Sequence, residues 1–237
     1  MLTLSGLKRE LKAEANPEKA KILQRFFKTG PGEYGAGDVF LGVTAPKIRK
    51  IAKKYHTLEL AEAVKLLHSK IHEERAAALR LMVDKFQLPE PRRKEETKEK
   101  IYKTYLKNAR YVNNWDLVDM SADKIAGDYL FNRPKGILYK LASSKNLWER
   151  RIAVMATFNF IKKNEFEETF KIVEILLNDS HDLIHKAVGW MLREIGKRNL
   201  KTEEDFLSKH CRKIPRTALR YAIEKFPENI KKQYLLR

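Results

Sequence analysis

Disulfide staples, a cysteine metal site and a membrane span are all missing from this chain of 237 residues. Cys211 is its only cysteine, so neither a disulfide framework nor a cysteine zinc site can form within it, which suits a reducing compartment. No apolar run approaches the ~20 residues that a bilayer span requires, and the N-terminal MLTLSGLKRELKAEA is too polar for a secretory signal. A soluble, cytoplasmic protein without a membrane partner is expected. Glycine and proline are sparse, 10 and 8 residues, and the period-two alternation of half-buried strands is absent, which argues against a sheet. Acidic residues fall short as well: 31 Asp and Glu face 49 Lys and Arg, leaving a net charge of +18. A folded domain with that surplus usually meets a polyanion, since each Lys or Arg that neutralises a phosphate releases a condensed counterion. Solubility alone rarely demands so much charge.

What is present is helical punctuation. Helix starts are marked by Asn16 before Pro17, Thr44 before the segment Ala45–His56, Thr57 before Leu58, and Thr202 before Glu203 and Glu204. About a dozen helices joined by short turns are expected. Three of them resemble one another: His72-Glu73-Glu74-Arg75-Ala76-Ala77-Ala78-Leu79, Leu147-Trp148-Glu149-Arg150-Arg151-Ile152-Ala153-Val154-Met155, and Asp182-Leu183-Ile184-His185-Lys186-Ala187-Val188-Gly189-Trp190. In each a basic residue (Arg75, Arg151, Lys186) precedes a small apolar stretch, and the helix beginning at Asn114 fills a gap in the series. A period of roughly 35–40 residues is that of stacked helix pairs. The fold class expected is all-α, a HEAT-like or armadillo-type helical repeat solenoid with a basic concave face, in a single domain over residues 1–237.

Several patterns carry less. Gly30, Gly32 and Gly35 in the loop Lys28–Phe40 match GxGxxG, but a dinucleotide site needs a strand before it and a βαβ unit around it; a mobile surface loop is expected. His68/His72 and His181/His185 are spaced i, i+4, yet each pair straddles a turn and no HExxH occurs, so no metal or cofactor is expected. Cys211 has no base partner in sequence that would make it a nucleophile. The cluster Arg92-Arg93-Lys94-Glu95-Glu96 mixes signs and reads as a solvated helix start.

Two helices could hold chemistry. In the one from Asn114 to about Leu130, Val118, Ala122, Ile125 and Tyr129 form the buried stripe, and Trp115 and Asp119 fall at its edge. An indole and a carboxylate one turn apart can both line a cleft, but residue types alone favour Trp115 packing in the core and Asp119 pairing with a nearby Lys or Arg. In the helix from Asp182 to Arg198 the stripe is Ile184, Val188, Met191 and Ile195, with Trp190 off that face among Lys186, Arg193 and Lys197. An aromatic among cations suits a surface that grips phosphates and offers a stacking plane; packing against a neighbouring repeat beside Leu183 suits it nearly as well, and the net charge tips the reading toward nucleic acid.

The same residues carry a family resemblance. Asn113-Asn114-Trp115-Asp116-Leu117-Val118-Asp119, Leu147-Trp148-Glu149-Arg150-Arg151 and Lys186-Ala187-Val188-Gly189-Trp190-Met191-Leu192-Arg193-Glu194 resemble the AlkD family of alkylpurine DNA glycosylases, as do Asn16-Pro17-Glu18-Lys19-Ala20 and Phe40-Leu41-Gly42-Val43. The similarity runs through most of the chain in the same order. It implies duplex DNA as the partner, held on a basic concave face, and excision of cationic bases such as 3-methyladenine and 7-methylguanine in base excision repair. It implies Asp119 as the catalytic carboxylate, Trp115 and Trp190 as cleft aromatics, and Arg151 and Arg193 as DNA-gripping residues, with Lys186 and Lys197 beside them. A family tyrosine is matched by Phe26, which keeps the ring and loses the hydroxyl, and the loop Lys28–Phe40 is longer than in the best-known member. A monomer without an obligate protein partner, associated with the nucleoid through DNA, is expected. Two other classes share the charge and the fold: a non-catalytic protein recognising distorted or branched DNA, and a protein–protein scaffold for an acidic partner.

Overall fold

Asparagines open several of the helices. The Asn16 side chain accepts from the Lys19 amide (2.9 Å), Asn114 from that of Trp115 (2.9 Å), and Asn146 from that of Trp148 (2.8 Å), each satisfying a donor that the first turn leaves without a partner. The computed structural model describes residues 2–89, 94–210 and 212–236. Among them every regular element is helical, apart from one isolated parallel bridge between Val39 and Ile71. The fold is all-α and built of helical repeats, and Cys211, Arg92 and Arg93 lie outside the described residues. No helix among the described residues is long and apolar enough to cross a membrane, and none of their side chains form a group of three or more able to hold a metal.

Packing divides the chain into two units, Met1–Ile125 and Ala126–Arg237. The first contains α1 (Leu4–Ala13), α2 (Pro17–Phe26), α3 (Ala45–Lys54), α4 (Leu60–Leu67), α5 (His72–Phe86), α6 (Glu95–Lys107) and α7 (Trp115–Ala122). Helix α5 is its axis: it packs on α3, α4 and α7 and is buried along nearly its whole length. The alanines Ala76, Ala77 and Ala78 let those neighbours approach closely. Helix α2 contributes no buried side chain and is held by its start. There the Asn16 amide donates to the Leu41 carbonyl (2.8 Å), and Gly42, at φ +83°, passes so close that a Cβ would lie 2.1 Å from the Asn16 carbonyl oxygen. Only glycine fits there.

The second unit contains α8 (Asp128–Leu130), α9 (Gly136–Ala142), α10 (Leu147–Ala156), α11 (Phe158–Lys162), α12 (Glu167–Leu176), α13 (Asp182–Gly196), α14 (Leu200–His210), α15 (Arg216–Ala222) and α16 (Glu228–Leu236). Helix α13 is its axis and packs on α10, α14 and α15. The stripe Ile184, Val188, Met191 and Ile195 is buried as its spacing implies. Gly189 brings α15 close, since a Cβ there would lie 2.3 Å from the Ala218 carbonyl oxygen. Of the other stripe, Val118, Ala122 and Ile125 are buried and Tyr129 is half-buried; the expected helix from Asn114 to Leu130 contains a π-helical turn at Asp123–Gly127.

Two helix starts differ from the sequence reading. Thr57 does not begin a helix, because Leu58 turns into the core and α4 starts only at Leu60, where the Glu59 amide donates to the Glu62 carboxylate (3.1 Å). Thr202 lies inside α14; Asn199 caps instead, accepting from the Thr202 amide (3.1 Å), in line with the stronger capping preference of asparagine. The repeat register also moves. Arg75 donates to the Ser69 carbonyl and Arg150 to that of Ser144, each six residues back, and the His185 ring meets the Asp179 carbonyl at the same offset. The matching positions are thus Arg75, Arg150 and His185, one residue before Arg151 and Lys186 in the later copies.

Glu203, only 1% exposed, lies under Gly196 and has a carboxylate oxygen without a hydrogen-bond partner among the described residues. Burial, reinforced by Glu204, pushes its pKa up to about 9. A carboxyl with a raised folded-state pKa stabilises the fold fully below its ordinary value of 4.5, and that contribution is lost as the pH rises toward 9. Glu203→Gln is therefore expected to resist urea better than the wild type at pH 8, with the advantage disappearing near pH 4, as read from paired denaturation curves.

Candidate active site

The position of α7 is set from behind by charges on α5 and on the end of the loop Lys28–Phe40. Asp38, buried, forms an ion pair with Arg75 (2.6 Å) and accepts from the Asn113 and Asn114 side-chain amides (3.4 Å each). His72, 3% exposed, donates through Nδ1 toward Asp38 (3.4 Å) and meets Asp116 through Nε2 (2.8 Å). The other Asp116 oxygen accepts from the Leu117 amide (2.8 Å). Charges therefore alternate along Arg75, Asp38, His72 and Asp116, and each basic group lies against a carboxylate. Burial opposes charge on His72, but the hydrogen bond and charge of Asp116, followed by the bond to Asp38, outweigh it and raise its pKa. Burial likewise opposes charge on Asp38, yet the bond to His72 and the Arg75 charge lower its pKa.

Glu73 fixes the loop from the next position on α5. Its carboxylate, 1% exposed, accepts from the amides of Leu41 (2.9 Å), Gly42 (2.8 Å) and Val43 (3.1 Å). Three backbone donors around one buried carboxylate hold Phe40 in place. The expected mobile surface loop is thus corrected at its C-terminal end: Asp38 and Phe40 are buried, the Val39 amide donates to the Lys70 carbonyl (3.1 Å), and Gly35 lies against the Phe27 carbonyl. Among the described residues no strand precedes the glycines, so they lack the framework of a dinucleotide site.

On this base stands a cluster of rings, in which His72, Phe40 and Phe27 lie mutually close, the His72 and Phe27 centroids being 5.1 Å apart. His72 and Phe40 stack at 4.4 Å, Phe40 and Phe27 at 5.0 Å, and Phe27 and Trp115 at 5.2 Å, with interplanar angles of 21°, 18° and 19°. Phe26 closes the cluster edge-on to Trp115 at 5.9 Å and is 61% exposed. Each such contact adds about 0.5–1.5 kcal/mol beyond burial, so the indole is held in one orientation. Asp119 follows Trp115 by one turn of α7, half-buried at the edge of the stripe. Its charge reaches inward to Tyr105, whose pKa is raised by burial first and by Asp123 and Asp119 after it.

The residues expected on α13 carry their charges in pairs. Lys186 pairs with Asp182 (2.7 Å), Lys197 with Glu194 (2.6 Å), and Arg193 with Glu224 of the turn after α15. The Trp190 indole donates to Glu194 (3.1 Å) and its ring lies 6.1 Å from Phe158. Arg151 is 4% exposed and donates to the Leu183 carbonyl at the start of α13. The structure thus gathers Phe26 and Trp115, with Asp119 one turn on, in Met1–Ile125, and sets Trp190, Lys186, Arg193 and Lys197 on one helix of Ala126–Arg237. Sequence reasoning did not single out Asp38, Glu73 or Asp116, and took His72 for an ordinary histidine. The one signal, for His72 and Glu73, was a charged run from His72 to Arg75 opening a helix that is otherwise small and apolar.

The network has a defined pH window. The His72 contribution is complete below its ordinary value of 6.5 and is lost as the pH rises through its raised folded-state value. That of Asp38 is complete above 3.8 and is lost as the pH falls through its depressed one. The stability difference between wild type and His72→Gln is expected to be largest between those two limits and to shrink toward alkaline pH. A difference that grows with pH in urea titrations would contradict the charged state of His72.

Comparison with known proteins supplies the context. The sequence model of the family described as DNA alkylation repair enzyme matches residues 7–226. No curated protein matches the sequence. Among solved structures, one described as a predicted DNA alkylation repair enzyme from Enterococcus faecalis is similar, with a TM-score of 0.70 and 20% identity, covering 91% of this chain and 98% of that one. At that identity the likeness concerns the fold. With the family match extending over nearly the whole sequence, this chain belongs to the DNA alkylation repair enzyme family.

Proposed function

We propose that the protein is a DNA glycosylase that hydrolyses the N-glycosidic bond of cationic alkylated purines, 3-methyladenine and 7-methylguanine, in duplex DNA. The observation that carries this reading is the pair on α7: Asp119, one turn beyond a Trp115 whose ring is clamped by Phe27 and flanked by the exposed Phe26. The resemblance to the alkylpurine glycosylases puts the catalytic carboxylate and a cleft tryptophan on these same two positions.

The chemistry needs little more. A purine alkylated at N3 or N7 already carries a positive charge, so it departs as a neutral base and requires no general acid. As the bond breaks, positive charge moves to the sugar, and one carboxylate beside C1′ stabilises that oxocarbenium ion. Water then adds to C1′ and gives up its proton to the carboxylate or to solvent. Ordinary glycoside hydrolysis needs a second carboxyl group because its leaving group must be protonated. Indole faces beside a cationic nucleotide add ~0.5–2 kcal/mol each by cation–π attraction, which is the part proposed for Trp115 and Trp190.

On α13, phosphate contact by Lys186, Arg193 and Lys197 would exchange the acidic partners that they hold in the free protein for DNA oxygens. Arg151, spent on the Leu183 carbonyl, serves by holding the start of the helix that carries Trp190. Phe26 offers a ring without the hydroxyl that a phosphate contact would use.

The test is release of 7-methylguanine from methylated duplex DNA under single-turnover conditions. The wild type is expected to release the base, and Asp119→Asn to slow release on the order of 10²–10³-fold, the cost of removing one transition-state charge partner, while DNA binding survives. An unchanged rate in Asp119→Asn would remove Asp119 from the chemistry. No release by the wild type, alongside salt-sensitive binding, would favour a non-catalytic DNA-binding protein of the same family.

A further inference from the structure

A cavity of about 490 Å³ opens within Met1–Ile125 and is not accounted for by the Trp115 and Asp119 pair. Helix α7 and the turn after it contribute Asp116, Met120 and Lys124 to its wall. These positions form a stripe at i, i+4 and i+8, about 100° around the helix from Trp115 and Asp119. The two faces meet at Phe27, which lines the cavity and also stacks on Trp115.

The cavity has two distinct parts. Its body is apolar, with Phe27 and Phe40 on one side and Ile48 and Met120 among the other walls, and its volume lies within the range of small-molecule sites, roughly 300–1,000 Å³. Its polar lining is strongly cationic: Lys19 from α2, Arg49 from α3, Arg80 from α5, and Lys124. The carboxylates that also line it are already engaged, Glu73 on three backbone amides and Asp116 on His72 and the Leu117 amide. Arg80 shares Asp84 and Lys124 shares Asp123, but Lys19 and Arg49 make no ion pair among the described residues, and Arg49 is exposed. A wholly apolar ligand would leave these cations unanswered, and a simple inorganic anion would leave the aromatic body empty. What satisfies both is a flat, largely apolar ring system joined to a phosphate.

We propose that this cavity binds a single nucleotide, with the base packed against Phe27 and Phe40 and the phosphate at Lys19 and Arg49. The same chemistry is presented by a free nucleoside monophosphate and by a nucleotide extruded from a DNA strand. The site goes beyond excision at Asp119 and uses a different face of α7, so either activity can be lost without the other.

The test uses the full chain and two variants. Ala76 lines the cavity, so Ala76→Leu fills it; Arg49→Glu reverses an exposed charge and leaves the core untouched. Calorimetric titration with adenosine 5′-monophosphate is expected to show binding by the wild type and by Asp119→Asn. Binding should be weaker by at least about tenfold in Arg49→Glu, which removes a charge-assisted contact, and lost in Ala76→Leu. Ribose 5-phosphate, which lacks the base, should bind at least about tenfold more weakly than the monophosphate, since the ring supplies the buried apolar area. A duplex carrying one unpaired 2-aminopurine separates the two sources. A fluorescence change on adding wild type that is missing with Ala76→Leu identifies the extruded nucleotide, and monophosphate binding without that change identifies the free one. The proposal is overturned if neither probe binds, if both variants bind as the wild type does, or if a fatty acid such as laurate binds and the monophosphate does not.

Discussion

The alternating charges Arg75, Asp38, His72 and Asp116 are the constraint on which the rest of the site depends, because they tie three sequence-distant segments together, with Arg75, Asp38 and His72 out of water and Asp116 half-buried. Isolated charges at that depth would be strongly unfavourable. Here each is answered by an opposite charge within 2.6–3.4 Å, and backbone and side-chain amides take up further valences. Such a network adds little net stability compared with apolar packing, yet removing one member costs about 3–5 kcal/mol because its partner is left buried and uncompensated. Its effect is to determine where things sit: the loop end against α5, and the first turn of α7 against both. The ring cluster of His72, Phe40, Phe27 and Trp115 rests on that arrangement.

The second unit solves a different problem. Its cations on α13 are balanced in the free protein by carboxylates on the same helix and by Glu224. Of these only the Lys186–Asp182 pair is exposed on both sides; such a pair contributes about 0–1 kcal/mol, so a polyanion can displace that acid at small cost. A net charge of +18 would act through the whole surface on such a polyanion, at longer range than any one contact.

How much of this was legible depended on the range of the interaction. Local signals carried well: Asn16 ahead of Pro17, the apolar stripes on the helices after Asn114 and Asp182, and the absence of strand alternation all reappear in the fold. They did so because capping and amphipathic periodicity are satisfied within a few residues. Signals of intermediate range slipped by a few positions. Thr57 and Thr202 resembled caps, but the burial of Leu58 and the better capping of Asn199 moved the starts. The repeat register of Arg151 and Lys186 belongs to Arg150 and His185, because a hydrogen bond to a carbonyl six residues back leaves no mark in composition. Long-range partners were invisible. Nothing near Asp38 announces Arg75 or Asn114, nothing near Glu73 announces the amides of residues 41–43, and nothing near Arg193 announces Glu224. The family resemblance pointed to Trp115 and Asp119 directly; the supporting layer behind them emerged only from the packing.

The measurement that tests the central claim most directly is a double-mutant cycle between Asp38→Asn and Asp119→Asn on the single-turnover rate of base release. If the buried network acts by placing the carboxylate, Asp38→Asn slows release in the wild-type background and has almost no further effect once Asp119 is gone, so the two losses are strongly non-additive. Full additivity would contradict that account, since it would mean that Asp38 influences the reaction by a route that does not pass through Asp119.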